Sequence, residues 1–178
     1  MKGLLIYNST GAKRNRWFIE RLLYNFKQKG INLELVITDN NELGTINNVD
    51  FAIVRVAAPE INKSLENFGV RVFNNFNTSY IANNKWETYL LCKRLGIPTM
   101  PTYHNLENKE LCQFPCVLKS DNGHGGSEVF WVNNVEEFLT IERQFQLINK
   151  NFVIQKPSSE LGKDMRIYLM GQEIVSSV

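Results

Sequence analysis

The stretch from Pro115 to Val129, PCVLKSDNGHGGSEV, constrains the fold of this chain more than any other. A short apolar run ends in Lys119, a loop with three glycines follows, and a second apolar run begins at Val129. Glycines let backbone N–H groups approach an anion, and a lysine at the end of a strand has a fixed position. This order of strand, lysine and glycine loop therefore predicts a strand-loop-strand hairpin that binds phosphate. Its predicted phosphate ligands are Lys119, Gly123, Gly125 and Gly126.

Two other phosphate-binding loops do not fit this stretch. A P-loop would need a Lys-Ser or Lys-Thr pair after its last glycine, but Gly126 is followed by Ser127 and Glu128. A dinucleotide fingerprint would need a glycine in place of Glu128 and then a helix, whereas residues 129–132 read as a strand. A flexible hairpin tip with an incidental lysine remains the alternative, because glycine-rich hairpins are common.

The charge balance limits the partners of the chain. The 178 residues carry a formal net charge of +2 without a basic block, which argues against a nucleic-acid surface. The apolar run at the N-terminus is too short for a signal peptide, and no segment approaches the length of a membrane span. The expected location is the cytoplasm, with no membrane or nucleic-acid partner.

The three cysteines do not indicate a disulfide framework, because they cannot all pair. A zinc site made of Cys112, Cys116, His104 and His124 would match no common ligand spacing. Packing cysteines are the favoured interpretation, and no metal site within the chain is predicted.

Strand and helix patterns alternate over residues 1–75, as in a small parallel α/β unit. Apolar strands are predicted at 4–7, 33–37, 51–56 and 70–73, and the triplet Ser9-Thr10-Gly11 is predicted to end the first of them. The helix between the first two strands has its apolar residues at helical spacing and ends at Gly30.

The pattern changes near Asn74. Asn84 and Glu87 predict a capping box at the start of a helix that runs to Leu95. Strands are predicted at 99–104, 152–155, 165–170 and 173–178. A helix capped by Asn134 is predicted between the glycine-rich hairpin and the strand at 152–155.

Two further details favour a nucleotide. Lys85 lies in the first turn of its helix, where a cation opposes the helix dipole, although by itself a solvated surface lysine is the more common explanation. The strand that ends at Gln155 is interrupted at Pro157. We expect the exposed backbone at this point to hydrogen-bond a planar base, and Glu160 to bind the ribose hydroxyls. The alternative is a plain loop with a solvated glutamate.

Eight segments in this order closely resemble the ATP-grasp superfamily, and within it the RimK-like ligases that add glutamate or related amino acids to a carboxylate. They are 50–56, 73–74, 84–85, 96–102, 115–119, 123–126, 154–155 and 162–166. The resemblance implies an α/β fold with three parts: a Rossmann-like pre-ATP-grasp domain at 1–75, a first ATP-grasp α+β lobe with the phosphate hairpin at 76–156, and the start of an incomplete second lobe at 157–178.

The resemblance also implies residue roles. Lys85 and Lys119 would hold the ATP phosphates, the glycine loop would close over the β and γ groups, and Arg166 would face the reacting phosphoryl or the substrate carboxylate. The remaining nucleotide-binding residues would be Gln155, Lys156, Ser158 and Glu160, with the carbonyl of Lys156 and the N–H of Ser158 on the adenine edge. The sequence has Asn84 where the family usually has Asp, and its segment 160–164 is one residue shorter than usual.

The implied reaction transfers the ATP γ-phosphate to a carboxylate, and an amine then attacks the acylphosphate to form an amide or peptide bond. The expected partners are ATP, an amino acid such as glutamate, a carboxylate-bearing acceptor and possible further copies of the chain. The magnesium ligands of the family, an acidic residue and a later Glu-x-Asn element, are expected beyond Val178, so the chain alone is expected to be inactive. A non-catalytic nucleotide-binding module and a domain for another phosphorylated ligand remain the alternatives.

Overall fold

The computed structural model describes residues 1–104, 113–126, 128–160 and 162–178. It has the expected mixed α/β class, with a parallel sheet early in the chain and antiparallel sheets later. The chain divides into two compact units, which are described separately below. The first unit contains residues 1–97 and 121–123, and the second contains residues 98–120 and 124–178. The three-part division at residues 75 and 156 stays a prediction.

The first unit is a parallel sheet with helices. Its strands are β1 (Lys2–Tyr7), β2 (Asn32–Ile37), β3 (Phe51–Val54) and β4 (Arg71–Phe73). Its helices are α1 (Ser9–Arg14), α2 (Arg16–Gln28), α3 (Pro59–Asn67), α4 (Phe76–Ala82) and α5 (Lys85–Arg94). The strands lie in the order β2-β1-β3-β4, and every neighbouring pair is parallel.

Side chains on both faces of β1 are buried, which explains its continuous apolar run. Leu4 and Ile6 pack in one cluster with Leu65 of α3. Leu5 and Tyr7 pack on the other face with Ile19 of α2. Helices thus pack on both faces of the sheet, and the small parallel α/β unit that the sequence predicts is present.

Two short helices were not predicted, and in both an asparagine supplies the N-cap. The side chain of Asn8 accepts a hydrogen bond from Gly11 N at 2.6 Å, so the triplet that was expected only to end β1 starts α1 instead. Asn75 Oδ1 accepts from Thr78 N at 2.8 Å at the start of α4. These helices are too short for a hydrophobic period to reveal them, so the caps were the available signal.

The second unit contains two antiparallel sheets. Its elements are β5 (Thr102–His104), β6 (Cys116–Ser120), β7 (Val129–Val132), α6 (Val135–Leu147), β8 (Phe152–Gln155), β9 (Ile167–Met170) and β10 (Glu173–Ser177). The first sheet has the order β5-β8-β6-β7, and β9 pairs with β10 in a separate sheet. Strand β5 begins at Thr102 rather than at the expected Thr99.

Helix α6 covers one face of the four-stranded sheet. Phe138 and Phe145 of the helix pack with Leu118, Phe152 and Ile154 of the strands. The helix begins as predicted, because Asn134 Oδ1 accepts from Glu137 N at 2.9 Å. The opposite face carries the other residues of each strand, and Lys119 is among them.

Every residue of β9 and β10 is exposed. The exposed apolar side chains include Ile167, Leu169, Met170, Ile174 and Val175. Within the described part of the chain, no helix is long and apolar enough to cross a membrane.

The packing of β1 against β3 gives a stability prediction. A Cβ added at Gly3 would lie 2.2 Å from the Phe51 ring, which is buried and stacked on Phe26. We expect Gly3→Ala to destabilise the protein by about 1–3 kcal/mol, since overpacked cores must shift backbone or side chains. The measurement is urea denaturation followed by circular dichroism.

Gly44→Ala is the matched control, because a Cβ at Gly44 would have no atom within 4 Å. Equal denaturation midpoints for Gly3→Ala and Gly44→Ala would show that the Phe51 ring moves aside without cost.

Candidate nucleotide-binding site

The glycine-rich segment forms the predicted hairpin. Strands β6 and β7 are antiparallel, with Lys119 directly opposite Val129, and Ser120 N donates to Glu128 O at 3.1 Å. The carboxylate of Glu128 forms a half-buried ion pair with Lys150, which follows α6. The end of the loop is therefore tied both to the opposite strand and to the turn before β8.

The loop itself is open at two of its glycines. Gly125 and Gly126 have φ angles of +69° and +79°, a conformation that residues with a side chain rarely adopt. A Cβ at either position would have no atom within 4 Å. Backbone here is accessible to a ligand, as an anion-binding loop requires.

Lys119 lies within β6, on the face opposite α6. Its neighbours along the strand, Leu118 and Ser120, are fully buried, whereas Lys119 is half-buried. Partial burial lowers the pKa of the Lys119 ammonium below its ordinary value, since the charged form loses hydration. No carboxylate among the described residues contributes to this shift or pairs with the ammonium. Lys119 is thus a partly dehydrated cation without a counter-charge in the described chain.

The acceptor of Lys119 is a neutral amide. Lys119 Nζ donates to Gln155 Oε1 at 2.8 Å, and Gln155 Nε2 donates to Thr102 Oγ1 at 2.8 Å. Thr102 is buried and lies directly opposite Gln155 in the ladder between β5 and β8. The sequence analysis did not find Thr102, because only the strand register places it beside Gln155.

Lys85 contacts the beginning of the glycine loop. It is the first residue of α5, and its Nζ donates to Gly123 O at 2.6 Å. Its backbone N–H donates to Asp121 O at 2.6 Å. The unfavourable placement of a lysine at this helix terminus therefore coincides with a contact to the predicted phosphate loop.

The cap of α5 forms only in part as predicted. Asn84 Oδ1 accepts from Glu87 N at 2.9 Å, which confirms Asn84 as the N-cap. The reciprocal half is wrong, because Asn84 N donates to Ile81 O at the end of α4. The carboxylate of Glu87 instead accepts from the Tyr80 hydroxyl at 3.4 Å. The unpredicted helix α4 supplies the acceptor that Glu87 was expected to provide.

The residues after β8 lie beside a cleft of about 290 Å³ in the second unit. Gln155 and Lys156 line it together with Pro101, Tyr103 and Gln113. Further along, Ser158 Oγ accepts from Glu160 N at 3.2 Å, and the Glu160 carboxylate pairs with Lys163 at 3.2 Å on the exposed surface. The adenine and ribose roles of Lys156, Ser158 and Glu160 stay predictions.

Arg166 lies just before β9 and pairs with Asp164. Its Nε lies 3.0 Å from Asp164 Oδ2, and this hydrogen bond raises the pKa of the guanidinium. No hydrogen bond or ion pair in the described part of the second unit joins Arg166 to Lys119 or Gln155. A catalytic role for Arg166 stays a prediction.

The described residues contain no group of three or more His, Cys, Asp and Glu side chains that could hold a metal ion. One member of the zinc set considered above, Cys112, lies outside the described residues. The described side chains thus do not make a magnesium site by themselves.

Comparisons with curated proteins give relatives of similar sequence. The uncharacterized protein MG011 of Mycoplasma genitalium is 26% identical, and the match covers 99% of this chain and 62% of that protein. N-acetylaspartylglutamate synthase A of Mus musculus is 26% identical over 149 residues, which are 72% of this chain and 38% of that protein. The chain thus spans less than two thirds of the length of these relatives. No family model matches it.

Solved structures also resemble the chain. A RimK domain ATP-grasp protein of Sphaerobacter thermophilus superposes with a TM-score of 0.77 and 18% identity, over 99% of this chain and 72% of that one. The D-alanine–D-alanine ligase of Bacillus anthracis complexed with ATP gives a TM-score of 0.68 and 16% identity, over 89% of this chain and 59% of that one. The resemblance to ATP-grasp proteins inferred from the eight segments is therefore confirmed, and the chain has the ATP-grasp fold.

Proposed function

We propose that the protein is an ATP-dependent carboxylate–amine ligase and that this chain carries its ATP phosphate site. The observation that carries the proposal is the state of Lys119: a half-buried ammonium, held by a neutral amide, on the strand that leads into an open glycine loop. The ATP-grasp fold and the names of its structural neighbours support ATP as the ligand.

The energetics of Lys119 support an anionic ligand. Partial removal of the ammonium from water is unfavourable, and its hydrogen bond to an amide does not replace a counter-charge. A phosphate oxygen would supply that charge, and hydrogen bonds to charged groups contribute about 1.5–3 kcal/mol each. The backbone of Gly125 and Gly126 would supply further donors.

The proposed reaction has two steps. A carboxylate oxygen of the acceptor attacks the γ-phosphorus, the bond to the β–γ bridging oxygen breaks, and ADP leaves with an acylphosphate formed. The amine then attacks the acyl carbon and loses a proton, and inorganic phosphate leaves. Lys119, Lys85 and the glycine loop would hold the phosphates and stabilise the charge that develops on them. Arg166 would contact the transferred phosphoryl group or the acceptor carboxylate.

The amine substrate in this proposal is glutamate or a related amino acid. One relative is named N-acetylaspartylglutamate synthase A, and the product in that name includes glutamate, which supports this choice. The acceptor is a carboxylate-bearing peptide or small molecule, and the reaction takes place in the cytoplasm.

The proposal is tested with the complete reading frame that contains this chain. Multiple-turnover ADP release should require both glutamate and a carboxylate acceptor, measured over a panel of acceptors by a coupled assay. ATP binding without ADP release under any condition would favour a non-catalytic nucleotide-binding module. Failure to bind ATP in calorimetry would contradict the proposal outright.

Lys119→Met should abolish most ATP affinity and leave the fold intact. Because the pKa of Lys119 is lowered in the folded state, its ammonium opposes folding at neutral pH, and this penalty fades as pH rises through the lowered pKa. Removal of the charge should therefore stabilise the protein at pH 7, and loss of the bond to Gln155 should offset this by about 1 kcal/mol. Calorimetry with ATP and thermal unfolding from pH 7 to 10 measure both effects.

Arg143→Met on the exposed face of α6 is the control for loss of a cation from the second unit. The role of Lys119 would be refuted by equal ATP affinity in the two variants.

Lys85→Glu should weaken ATP binding while α5 remains folded. The substitution removes the bond to Gly123 O and replaces a cation near the loop with an anion. An acidic residue in the first turn stabilises a helix by about 0.3–1 kcal/mol, so the melting temperature should not fall. Lys93→Glu in the last turn is the matched control, with the opposite dipole effect and no expected change in affinity. Equal ATP affinity in both variants would show that Lys85 is a solvated surface lysine with no role in ATP binding.

A further inference from the structure

A cavity of about 450 Å³ lies on the face of the parallel sheet that α2 packs against. Strands β3 and β4 form its floor, where Phe51 lies beside Arg71 and Ile53 lies beside Phe73. Phe26 of α2 forms part of the wall. Pockets that bind small molecules have volumes of about 300–1,000 Å³, so this cavity has room for a small ligand.

Three aromatic rings make the interior of the cavity apolar. The Phe51 ring is stacked on Phe26 with the centroids 5.8 Å apart, and it meets the Phe73 ring edge-on at 6.5 Å. Phe51 is buried, but 44% of Phe73 is exposed, so one ring of this row remains open to solvent. An apolar side chain that covers Phe73 would remove this surface from water, and an aromatic one would add a ring contact.

Two opposite charges lie at one end of the cavity. Asp50 directly precedes β3 and Arg71 begins β4, and Arg71 N donates to Asp50 O at 3.4 Å. Asp50 Oδ2 accepts from Lys2 N at 2.6 Å, and the Arg71 guanidinium lies 5.1 Å from the centroid of the Phe73 ring. Among the described residues, neither side chain forms an ion pair, although the two are neighbours. A carboxylate and a guanidinium are therefore both available to one ligand.

The position of the cavity separates it from the usual ligand site of such sheets. In open α/β sheets, ligands bind beyond the carboxyl ends of the strands. Asp50 and Arg71 lie at the amino ends of β3 and β4 instead. None of the residues assigned to ATP or to the reaction above lines this cavity.

We propose that this cavity is a second ligand site, which binds an α-amino acid with a large apolar side chain. Such a molecule carries an ammonium and a carboxylate on one carbon. The Arg71 guanidinium binds the carboxylate, and the Asp50 carboxylate binds the ammonium. The apolar side chain lies against Phe51, Ile53 and Phe73. The proposal goes beyond the ligase function and does not depend on it.

The experiment is an NMR titration of the protein of the complete reading frame with L-phenylalanine and two analogues. 3-Phenylpropionate lacks the ammonium, and 2-phenylethylamine lacks the carboxylate. The signals followed are the backbone amides of Phe51, Ile53 and Arg71. We expect saturable shifts with L-phenylalanine and binding of each analogue that is weaker by about fivefold or more. L-Glutamate should leave these signals unchanged, because its second carboxylate would lie against the apolar floor.

Two variants test the two charges separately. Arg71→Gln should weaken L-phenylalanine and 3-phenylpropionate by about fivefold or more, and it should not weaken 2-phenylethylamine. Asp50→Asn should weaken L-phenylalanine and 2-phenylethylamine by a similar factor, and it should not weaken 3-phenylpropionate. This substitution keeps a side-chain oxygen for the bond from Lys2 N.

Arg21→Gln is the matched control. Arg21 is an exposed arginine of the same unit that also lies over an aromatic ring, 5.9 Å from the centroid of Trp17, but it does not line the cavity. We expect this variant to bind all three ligands with the affinities of the parent.

The proposal would be overturned if L-phenylalanine gave no saturable shifts at these amides, or if it bound no more tightly than either analogue. Equal weakening of all three ligands in Arg71→Gln and Asp50→Asn would also overturn it, because that result would indicate a change of cavity shape. If Asp50→Asn does not fold, the three ligands on the parent and on Arg71→Gln still decide the matter. None of these results involves ATP, so the proposed function is tested independently.

Discussion

The register of β6 between β7 and β8 is the constraint on which the candidate site depends. This register turns Leu118 toward α6 and Lys119 toward the opposite face. A slip of one residue would exchange the two side chains and bury the ammonium under α6. The apolar cluster of Phe138, Phe145 and Phe152 stabilises the correct register, because it needs Leu118 and not a lysine. Hydrophobic packing on one face therefore positions the charge on the other.

The elements with a clear hydrophobic period could be predicted from the sequence. The strand at 152–155, the hairpin strand at 129–132 and the helix capped by Asn134 were predicted correctly, since each has a run of apolar residues with a turn or cap at its end. Helices α1 and α4 were missed because they are too short to show a hydrophobic period. The missed α4 also explains the wrong half of the capping box at Asn84 and Glu87.

The sequence predicted those features of the site that depend on neighbouring residues, but not the contacts between residues far apart in the sequence. The hairpin, Lys119 and the open glycines follow from a local sequence pattern, and Lys85 was noticed because it breaks a local rule. Thr102 and Asp121 carry no such signal, because their importance comes from strand register and from the contact of α5 with the loop. The family resemblance implies that Gln155 contacts the nucleotide, and in the structure its amide bonds to Lys119 and Thr102.

The central claim is that Lys119 is a partly dehydrated cation that takes its counter-charge from a bound polyphosphate. The most direct measurement is the NMR titration of the Lys119 ammonium in selectively labelled protein, with and without saturating ATP. Without ATP, the pKa of Lys119 should lie below its ordinary value, and with ATP it should rise, because the phosphate stabilises the charged form. A Lys119 pKa that is ordinary without ATP and unchanged with it would contradict the account.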